Sequence, residues 1–566
     1  MTGGITTAKA ACRVLLEVVR AHGVRDVFCS PGSRNAPLLL AARALEDVRK
    51  HVVVDERTAA FAALGMAATS RRPVALICTS GTAVLNYAPA VAEAFYRSIP
   101  LVVISADRPM EWIDQDDSQT LRQFEALGNF VKKSYDIPDA GEADGQMLWY
   151  ANRVANDAML TALHGRPGPV HINVQLDAPL SGTTTLLPPA ERIISMTEGA
   201  GRLSDADMAL LADAAAGRRL LVVAGFMAPD AALSRALRFM ASLPNVFVLA
   251  ESVANIHVPE ACHTIDRLLT SLSADEKRAM SPDIVVTLGG ALVSRQIKEY
   301  LRGLPDVEHW MIGRAHTTTD CFRRLRRRIE ADPAPTLRRL TGLLTRRGIS
   351  SDYASRWSAL AARSTRSHEA YVASAPWSDL KAFSIIMPAI PAGYNLHLSN
   401  GTPIRYAQLF RTPQLHASWC NRGVSGIDGC TATAIGSAMA TPTPTLLISG
   451  DTSAGYDIAS LLHLPLPDSL RMIIMLNDGG DIFRFIGATS AMPCREEYLC
   501  VSGREIPFAE IGRAAAMRVY EAASEEELAD ALPRFFAPGG AAMLLVRTQG
   551  QPNSEILRGY MRRKPT

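Results

Sequence analysis

The sequence predicts an α/β protein with three doubly wound domains, each built on a parallel sheet. Short apolar runs that are nearly continuous, rather than alternating with polar residues, occur in three separate blocks of the chain. Runs of this kind are typical of parallel strands that are covered on both faces. At 566 residues the chain is long enough for three or four domains of ordinary size, each with its own core.

The first block begins with a helix and continues as alternating strands and helices. Cys12, Leu15, Leu16 and Val19 recur at helical spacing, and turn residues separate the apolar runs that follow. The predicted strands of this block cover 26–29, 51–54, 74–78, 101–105 and 170–174. This alternation predicts the first doubly wound sheet.

Two further blocks repeat the alternation. The second has predicted strands at 220–223, 246–249, 284–288 and 308–312, and the third at 445–449, 472–476 and 543–546. Between them, a polar stretch at 181–201 is interpreted as a linker, and the charged segment 338–378 as helical or loose. The predicted domains are 1–182, 200–345 and 365–566.

Composition and charge exclude several classes of protein. With 48% apolar and 20% charged residues the chain resembles soluble globular proteins, and no apolar run approaches the roughly 20 residues of a membrane span. A net charge of +3 predicts neither a nucleic-acid nor a membrane partner, and the arginine run at 323–328 is interpreted as a solvated helix face. Nine scattered cysteines without a C-x-x-C pair favour a reduced, cytoplasmic compartment.

Two polar segments of the third block each follow an apolar strand. They are GDTS at 450–453 and NDGG at 477–480, so that Asn477 lies 26 positions after Asp451. Because the carboxyl ends of parallel strands meet at one edge, these side chains and a backbone carbonyl are expected to suit a small hard cation. Ser453, at a predicted helix start, favours phosphate oxygens. The alternative is a helix N-cap at Asp451 and an ordinary turn at 477–480.

An acidic residue follows a strand of the first block. Glu56 lies ahead of an apolar helix face formed by Phe61, Leu64 and Met66. A carboxyl group in this position is expected to be partly buried, with a raised pKa and a proton available for transfer. The alternative is a first-turn glutamate that interacts with the helix dipole. Combined with the oxygen donors of the third block, Glu56 indicates a site for thiamine diphosphate.

Strand-end loops with arginines indicate the class of substrate. Two such loops of the first block are SPGSRN at 30–35 and SADRP at 105–109, and TSGT at 79–82 is a third strand-end loop, without an arginine. Arg405 and Arg422 add two cations in the third block. Fixed arginines bind carboxylates through paired N–H groups, so polyanionic small molecules are expected. The alternative for any one arginine is a structural ion pair, such as Arg108 with Asp107 or Asp114.

Taken together, these segments resemble the thiamine-diphosphate-dependent decarboxylase superfamily and, within it, the synthases of menaquinone biosynthesis that join 2-oxoglutarate to isochorismate. The narrower resemblance spans most of the chain and is least specific in the central block. Its motifs are SPGSRN at 30–35, VDER at 54–57, TSGTA at 79–83, SADRP at 105–109, IDQDDSQTLRQ at 113–123, SNGTPIR at 399–405, NRGVSGIDG at 421–429, GDTS at 450–453 and IFRFI at 482–486.

The resemblance implies a pyrimidine-binding domain (1–182), a central domain (200–345) and a diphosphate-binding domain (365–566). It places the cofactor between the first domain of one subunit and the third domain of its partner, in a homodimer or a dimer of dimers. Glu56 would contact the aminopyrimidine ring and promote loss of the thiazolium C2 proton, and Ile427 would prop the cofactor in its bent form. The diphosphate and metal site would comprise Gly450, Asp451, Thr452, Ser453, Asn477 and Gly479, with Asp451, Asn477 and the Gly479 carbonyl holding Mg2+ or Mn2+.

The implied reaction is the decarboxylation of 2-oxoglutarate, followed by 1,4-addition of the resulting carbanion to isochorismate, which makes the protein a transferase. Both substrates carry two carboxylates, in agreement with the arginine-containing loops. The positions that match the substrate site of the family are Ser33, Arg34, Arg108, Gln119, Arg295, Arg405, Ile482 and Phe483.

The chain departs from the family pattern at several positions. Gly401 stands where a serine is expected, Gln296 where a second basic residue is often found, and Asp481 adds a negative charge beside the glycine turn. The interval between the two polar segments is one residue shorter, which leaves Asp478 as an alternative ligand to Asn477. Two other functions stay open: another thiamine-dependent 2-oxo acid decarboxylase or carboligase of the acetolactate synthase type, and a non-catalytic member of the superfamily.

Overall fold

A computed structural model describes residues 5–139, 145–185, 192–199, 201–314, 317–411 and 414–563. Residues in spatial contact group into two compact units. The first comprises Met1–Glu198, Gly423–Pro442 and Tyr456–Leu470, and the second comprises Gly199–Arg422, Thr443–Gly455 and Arg471–Thr566. No helix within the described residues is long and apolar enough to cross a membrane.

The first part of the chain forms a six-stranded parallel sheet and a two-stranded antiparallel ribbon. The sheet has the strand order β3-β2-β4-β5-β7-β6, and the ribbon joins β1 to β8. Its elements are β1 (Thr6–Thr7), α1 (Ala10–Ala21), β2 (Asp26–Cys29), α2 (Ala36–Ala44), β3 (Arg49–Val52), α3 (Glu56–Ser70), β4 (Val74–Cys78), α4 (Ala83–Asn86), α5 (Ala88–Arg97), β5 (Leu101–Asp107), β6 (Ser134–Ile137), α6 (Gly145–Leu163), β7 (Val170–Gln175) and β8 (Thr183–Thr184).

The middle of the chain forms a five-stranded parallel sheet with the order β10-β9-β11-β12-β13. Its elements are α7 (Asp205–Ala215), β9 (Leu220–Ala224), α8 (Ala231–Ala241), β10 (Val246–Ala250), α9 (Ile265–Thr270), α10 (Ala274–Ala279), β11 (Ile284–Leu288), α11 (Arg295–Arg302), β12 (Glu308–Ile312), β13 (Leu325–Ile329) and α12 (Pro333–Thr345).

The last part forms a second six-stranded parallel sheet, with the order β15-β14-β16-β17-β19-β18. Its elements are α13 (Tyr353–Ser374), α14 (Asp379–Ala389), β14 (Asn395–Leu398), α15 (Thr402–Ala407), β15 (Ala417–Cys420), α16 (Cys430–Ala440), β16 (Thr445–Gly450), α17 (Asp451–Tyr456), α18 (Ser460–His463), β17 (Leu470–Leu476), α19 (Asp481–Phe485), α20 (Gly487–Ser490), α21 (Phe508–Ala514), β18 (Arg518–Ala522), α22 (Glu525–Phe536), β19 (Ala542–Arg547) and α23 (Asn553–Met561).

The three sheets confirm the predicted fold class. In each, the second strand lies on one side of the first and the third strand on the other, so the chain reverses direction across the sheet beside the first strand. The crevice at such a reversal, beyond the carboxyl ends of the strands, is where open α/β sheets bind ligands. In the last sheet, the crevice lies between β14 and β16, and β16 ends at Gly450. The strands of each sheet fall within one predicted domain range, while the domain boundaries themselves stay a prediction.

Most predicted strands match observed strands within one or two residues, but several details differ. The arginine run at 323–328 contributes to an exposed edge strand, Leu325–Ile329, so the predicted helix face was wrong. The predicted linker includes β8, which pairs with β1, and its residues 186–191 and 200 lie outside the described part of the chain. The segment 338–378 is mostly helical, in α12 and α13, and ends at Ser378, the N-cap of α14.

Helix α3, which begins at Glu56, is packed closely against α16 within the first unit. A Cβ atom at Gly65 of α3 would lie 1.9 Å from the carbonyl oxygen of Thr433, and one at Gly436 of α16 would lie 2.0 Å from that of Ala62. The two helices therefore touch through their backbones, and any larger side chain at either glycine would force them apart. This contact fixes the axis of the helix that carries Glu56.

Candidate active site

Asp451 connects the carboxyl ends of β16 and β17. Its Oδ2 accepts hydrogen bonds from the backbone N–H groups of Asn477 (3.3 Å) and Gly479 (2.9 Å), and its Oδ1 accepts one from Thr452 (2.6 Å). Burial raises the pKa of this carboxyl, while the N–H groups of Gly479 and Thr452 act in the opposite direction. The Asp451 carboxylate thus binds the turn that follows β17. A helix N-cap would bind only N–H groups of its own helix, so the N-cap alternative does not account for these contacts.

Asn477 presents a buried oxygen without a protein partner. Its side-chain Nδ2 donates to Asp379 Oδ2 at 2.7 Å, whereas its Oδ1 has no hydrogen-bond partner among the described residues. Asp478 is engaged elsewhere, because its Oδ1 accepts the N–H of Gly503 at 2.7 Å and its other oxygen lies 3.8 Å from Arg484. Of the two candidate ligands, Asn477 therefore has the oxygen available for a further contact.

These donors fit a small hard cation. The set consists of the Asp451 carboxylate, the unpartnered Asn477 Oδ1 and the Gly479 carbonyl, which accepts a hydrogen bond from Asp481 at 2.8 Å and retains a second lone pair. Gly479 has a φ of 92°, a conformation that glycine adopts without strain. No group of three or more His, Cys, Asp or Glu side chains that could hold a metal occurs in the described ranges.

Asp379 supports Asn477 and carried no signal in the sequence. It is fully buried at the start of α14, where its carboxylate accepts hydrogen bonds from Asn477 and from the hydroxyl of Thr548. Burial, followed by the charge of Asp481, raises the pKa of Asp379 to about 7. Its partners are 98 and 169 positions away in sequence, so only the folded chain identifies this role.

Asp481, one of the departures from the family pattern, is buried beside this site. Its Oδ1 lies 3.4 Å from Arg484, while its Oδ2 has no hydrogen-bond partner within the described part of the chain. Burial raises the pKa of Asp481, and the charge of Arg484 lowers it. The additional carboxylate is therefore compensated by a neighbouring arginine.

Glu56 is the first residue of α3 but does not cap the helix. Asp55 is the N-cap, and its side chain accepts hydrogen bonds from the N–H groups of Arg57 (3.0 Å) and Thr58 (3.3 Å). Glu56 is half-buried, and its carboxylate makes no hydrogen bond or ion pair with the residues that the structure describes. The cap is supplied by Asp55, so the carboxylate of Glu56 stays available for a ligand.

Ile427 lies in a loop that is held against the helix of Glu56. The carboxylate of Glu93 accepts hydrogen bonds from the N–H groups of Gly423 (2.8 Å) and Val424 (2.7 Å) at the start of this loop. At its end, a Cβ atom on Gly429 would lie 2.1 Å from the ring of Phe61 in α3. Ile427 itself is 38% exposed.

The predicted substrate residues of the first unit lie in loops that touch each other. Arg34 donates to the carbonyl of Leu176 at 2.7 Å, and the pKa of Arg34 is lowered by burial and then by the charge of Arg108. Gln119 donates to the carbonyl of Ser80 at 3.1 Å. The two guanidinium charges therefore interact, while the charges of Asp117, Asp177 and Asp107 act on the pKa of Arg34 in the opposite direction.

The ion pair of Arg108 differs from both partners considered from the sequence. Its guanidinium pairs with Asp117 at 2.5 Å, and Asp114 pairs instead with Arg122 at 2.7 Å. Asp107 accepts the backbone N–H of Arg108, at 2.8 Å, and the side-chain amide of Asn173, at 3.0 Å. Ser33, the remaining predicted residue of these loops, is exposed.

The predicted substrate residues of the second unit surround a small cavity. The cavity has a volume of about 230 Å³ and is lined by Arg295, Gln296, Glu299, Arg405, Phe485, Ile486 and Gly487. Burial and the charge of Arg422 lower the pKa of Arg405, whose Nε has no partner among the described residues. Ile482 and Phe483 lie in the half-buried helix α19, immediately before the lining residue Phe485. Arg295 is paired with Glu299 of the same lining at 2.7 Å, so Arg405 is the arginine of this cavity that could bind an anion.

Gly401 has a structural explanation. Its φ of 99° and ψ of −135° place it in a region that L side chains rarely adopt, at the N-cap of α15. A serine at this position would be strained. The backbone conformation at the start of the helix that carries Arg405 therefore explains the glycine.

Glu251 is a second residue that sequence reasoning missed. Its two oxygens accept the N–H groups of Val293 (2.8 Å) and Ser294 (2.7 Å), and Ser294 in turn caps α11, which begins at Arg295. Glu251 is fully buried, and burial raises its pKa to about 7, against the opposing effect of the two N–H groups. The pair of hydrogen bonds fixes the entry to the helix that carries Arg295.

The comparisons with known proteins agree with this architecture. Residues 10–126 match the family described as thiamine pyrophosphate enzyme, N-terminal TPP binding domain. Together with three parallel α/β sheets, this match defines a thiamine-diphosphate-dependent enzyme.

Full-length relatives narrow the class further. A protein named 2-succinyl-5-enolpyruvyl-6-hydroxy-3-cyclohexene-1-carboxylate synthase from Porphyromonas gingivalis is 40% identical over 563 residues, covering 98% of this chain and 96% of the relative. Proteins of the same name from Flavobacterium psychrophilum (36% identical, 83% and 84% covered) and Phocaeicola vulgatus (34% identical, 96% and 97% covered) are also similar. The chain belongs to the 2-succinyl-5-enolpyruvyl-6-hydroxy-3-cyclohexene-1-carboxylate synthase family, which confirms the resemblance identified from its motifs.

Proposed function

We propose that the protein decarboxylates 2-oxoglutarate and adds the resulting four-carbon unit to isochorismate, giving 2-succinyl-5-enolpyruvyl-6-hydroxy-3-cyclohexene-1-carboxylate and CO2 for menaquinone biosynthesis. The observation that carries the proposal is the set of oxygen donors at the carboxyl edge of the last sheet, in which Asn477 Oδ1 has no partner among the described residues. Such a set suits a cation that binds a diphosphate. It argues against a non-catalytic member, in which nothing would maintain a buried oxygen without a partner.

The residues that would hold the cofactor are the oxygen donors of the last sheet and the exposed Ile427. Asp451, Asn477 and the Gly479 carbonyl would hold Mg2+ or Mn2+, and Gly450, Thr452 and Ser453, at the N-terminal end of α17, would face the diphosphate. Ile427, exposed on a fixed loop, would support the cofactor ring. When bound, thiamine diphosphate supplies the nucleophilic carbon and the electron sink for decarboxylation.

Glu56 would be the proton-transferring carboxyl group of the site. Its carboxylate is half-buried at the first turn of α3 and has no partner in the described part of the chain, since Asp55 serves as the cap. A carboxyl group in this setting can give a proton to a ring nitrogen and take the proton back. We assign it the hydrogen bond to the aminopyrimidine ring that the family resemblance implies.

The arginines would bind the carboxylates of both substrates. In the first unit, the charges of Arg34 and Arg108 interact, and Ser33 and Gln119 belong to neighbouring loops. In the second unit, Arg295 and Arg405 line one cavity. Ile482 and Phe483 would form the apolar wall beside isochorismate. Each substrate has two carboxylates, so two groups of paired donors favour these substrates over pyruvate, the substrate expected of a carboligase of the acetolactate synthase type.

We further propose a cytoplasmic homodimer or dimer of dimers, without nucleic-acid or membrane partners. Apolar side chains beside Glu56 support a subunit contact there, because Val52 is 69% and Val54 65% exposed. A cofactor that bridges the first domain of one subunit and the third of its partner would bury them. The domain boundaries at 1–182, 200–345 and 365–566 belong to the same proposal.

One experiment tests the function directly. The purified protein is mixed with thiamine diphosphate, Mg2+, 2-oxoglutarate and isochorismate, and the loss of isochorismate absorbance is followed. Consumption of isochorismate that depends on all components supports the proposal. Turnover of pyruvate without consumption of isochorismate would favour the carboligase alternative, and neither activity would favour the non-catalytic one.

A further inference from the structure

A groove on the middle part of the chain has no role in the proposed reaction. It lies among α7, α8 and α12, has a volume of about 1320 Å³, and shares no residue with the candidate active site. This volume is above the roughly 300–1,000 Å³ that is typical of small-molecule sites. The groove is therefore large enough for an organic ligand with several rings or a chain.

The floor of the groove is apolar. Met208 of α7, Ala236 and Phe239 of α8, and Leu343 of α12 contribute to its lining. Phe239 is 43% exposed although the residues packed beside it in α8 are buried. An aromatic ring that is presented to solvent inside a recess is suited to stacking on, or packing against, an apolar ligand.

The rim of the groove carries an excess of positive charge. The lining includes five arginines and one aspartate, while the whole chain has a net charge of only +3. Arg339 is paired with the one aspartate, Asp205. The other four arginines make no hydrogen bond or ion pair with the residues that the structure describes; they are Arg202, Arg235, Arg338 and Arg346.

Neighbouring arginines that do not line the groove provide a comparison. Arg238, on the same helix as Arg235, lies 3.7 Å from Glu260, and Arg347, next to Arg346, is paired with Asp213. These two neighbours outside the groove are each paired with a carboxylate, whereas four arginines that line the groove have no such partner among the described residues. Like charges gathered around an apolar recess favour the binding of an anion that enters it.

We propose that this groove binds an organic anion with an apolar body, such as an aromatic or long-chain carboxylate, phosphate or sulfonate. The apolar body would lie on Phe239 and Leu343, and the anionic group would reach Arg235 and Arg338 at the rim. Because the apolar residues line a recess, the ligand has to be a small molecule that fits within it. The site is independent of the proposed catalytic function.

The test uses 8-anilinonaphthalene-1-sulfonate, a fluorescent aromatic sulfonate, with the holoprotein saturated with thiamine diphosphate and Mg2+. We expect saturable binding of one probe per chain that weakens as salt is added. In the double variant Arg235→Gln/Arg338→Gln, the Kd rises by about 10-fold or more, because two charge-assisted contacts are lost. The matched control, Arg238→Gln/Arg347→Gln, removes the same charge outside the groove and leaves the Kd unchanged.

A second variant and a neutral probe distinguish binding by the apolar floor of the groove from binding by the arginines of its rim. Phe239→Ser is expected to raise the Kd for the sulfonate and also for N-phenyl-1-naphthylamine, which has the same rings without the charge. The arginine double variant is expected to leave the Kd for the neutral probe unchanged. Equal sulfonate Kd values for wild type and the Arg235→Gln/Arg338→Gln variant overturn the proposal. A change in sedimentation coefficient caused by the same variant also overturns it, because a second copy of the chain would then cover the groove.

Discussion

The side-chain amide of Asn477 donates a hydrogen bond to Asp379 at 2.7 Å, and this contact decides which way the amide points. Since the nitrogen is bound to Asp379, the oxygen is the end of the amide that stays without a partner among the described residues, next to a backbone N–H that Asp451 binds. A buried polar group without a partner costs about 1–3 kcal/mol. A bound cation removes this cost, so Asp379 prepares the site for the metal.

The first prediction concerns this support. Asp379→Asn offers an amide instead of a carboxylate to the Asn477 side chain, whose oxygen can then turn toward residue 379 and away from the metal. We expect Mg2+ affinity, measured by the Mg2+ dependence of thiamine diphosphate binding in calorimetry, to fall by about 10- to 100-fold, as for other residues that orient metal ligands.

The control for this prediction is Asp478→Asn. Asp478 accepts the N–H of Gly503 and lies near Arg484, so its replacement is expected to leave Mg2+ affinity close to that of the wild type. A large loss in Asp478→Asn together with no loss in Asp379→Asn would transfer the ligand role from Asn477 to Asp478.

The second prediction concerns Asp451. Asp451→Ala removes a metal ligand and also the acceptor for the N–H groups of Asn477 and Gly479. We expect thiamine diphosphate binding in the presence of Mg2+ to weaken by at least about 10-fold, and binding in EDTA to change little. The two titrations are compared by calorimetry. An unchanged affinity with Mg2+ would leave Asp451 as a structural residue of the turn.

The third prediction concerns Glu56. Glu56→Gln is expected to leave folding and oligomeric state intact and to slow exchange of the C2 proton of bound thiamine diphosphate by at least about 100-fold, as loss of an acid–base group does. Exchange into deuterated water is followed by NMR. Asp55→Asn is the matched control, because it removes the neighbouring charge and keeps an oxygen for the helix cap, so exchange should continue. Wild-type exchange in Glu56→Gln would remove Glu56 from the mechanism.

The sequence predicts the fold well where strands are buried on both faces. The runs 74–78 and 284–288 match β4 and β11 residue for residue, because a continuous apolar run has no other stable environment. Strands that contain polar or charged residues lack a continuous apolar run and are not predicted in this way. Ser134–Ile137 contains Asp136, which binds Asn173 and Gln175, and Asn395–Leu398 contains a buried asparagine and a buried histidine. Leu325–Ile329 is an edge strand whose arginines are exposed.

The candidate site is predictable only in part, for a related reason. Asp451, Asn477 and Glu56 follow apolar strands, so strand-end reasoning places them at the edges of their sheets. Asp379 and Glu251 act through residues 98 and 42 positions away, and nothing near them in sequence marks them. Their roles are hydrogen bonds between distant segments, which exist only once the sheets have formed.

The last prediction is a pH dependence that arises from Glu251. Burial raises the pKa of this carboxyl from 4.5 to about 7 in the folded protein. Between these two values the folded state binds more protons than the unfolded state, so the contribution of Glu251 to stability is complete below pH 4.5 and is lost as the pH rises to about 7. The charged groups that interact with this carboxyl are Asp266, Arg422 and Lys298. All three are present in both the wild type and the Glu251→Gln variant, so the difference between the two proteins reports on Glu251.

Glu251→Gln has no charge to lose, so the stability of the wild type relative to this variant is expected to fall between pH 4.5 and 7, by at most about 3 kcal/mol. The midpoint of urea unfolding, measured for both proteins at pH 5, 6, 7 and 8, gives this difference. Glu260→Gln, which removes an exposed carboxyl from the same part of the chain, supplies the baseline. A wild-type midpoint that rises with pH relative to Glu251→Gln would mean that the two N–H groups of Val293 and Ser294 outweigh burial and keep the carboxylate charged.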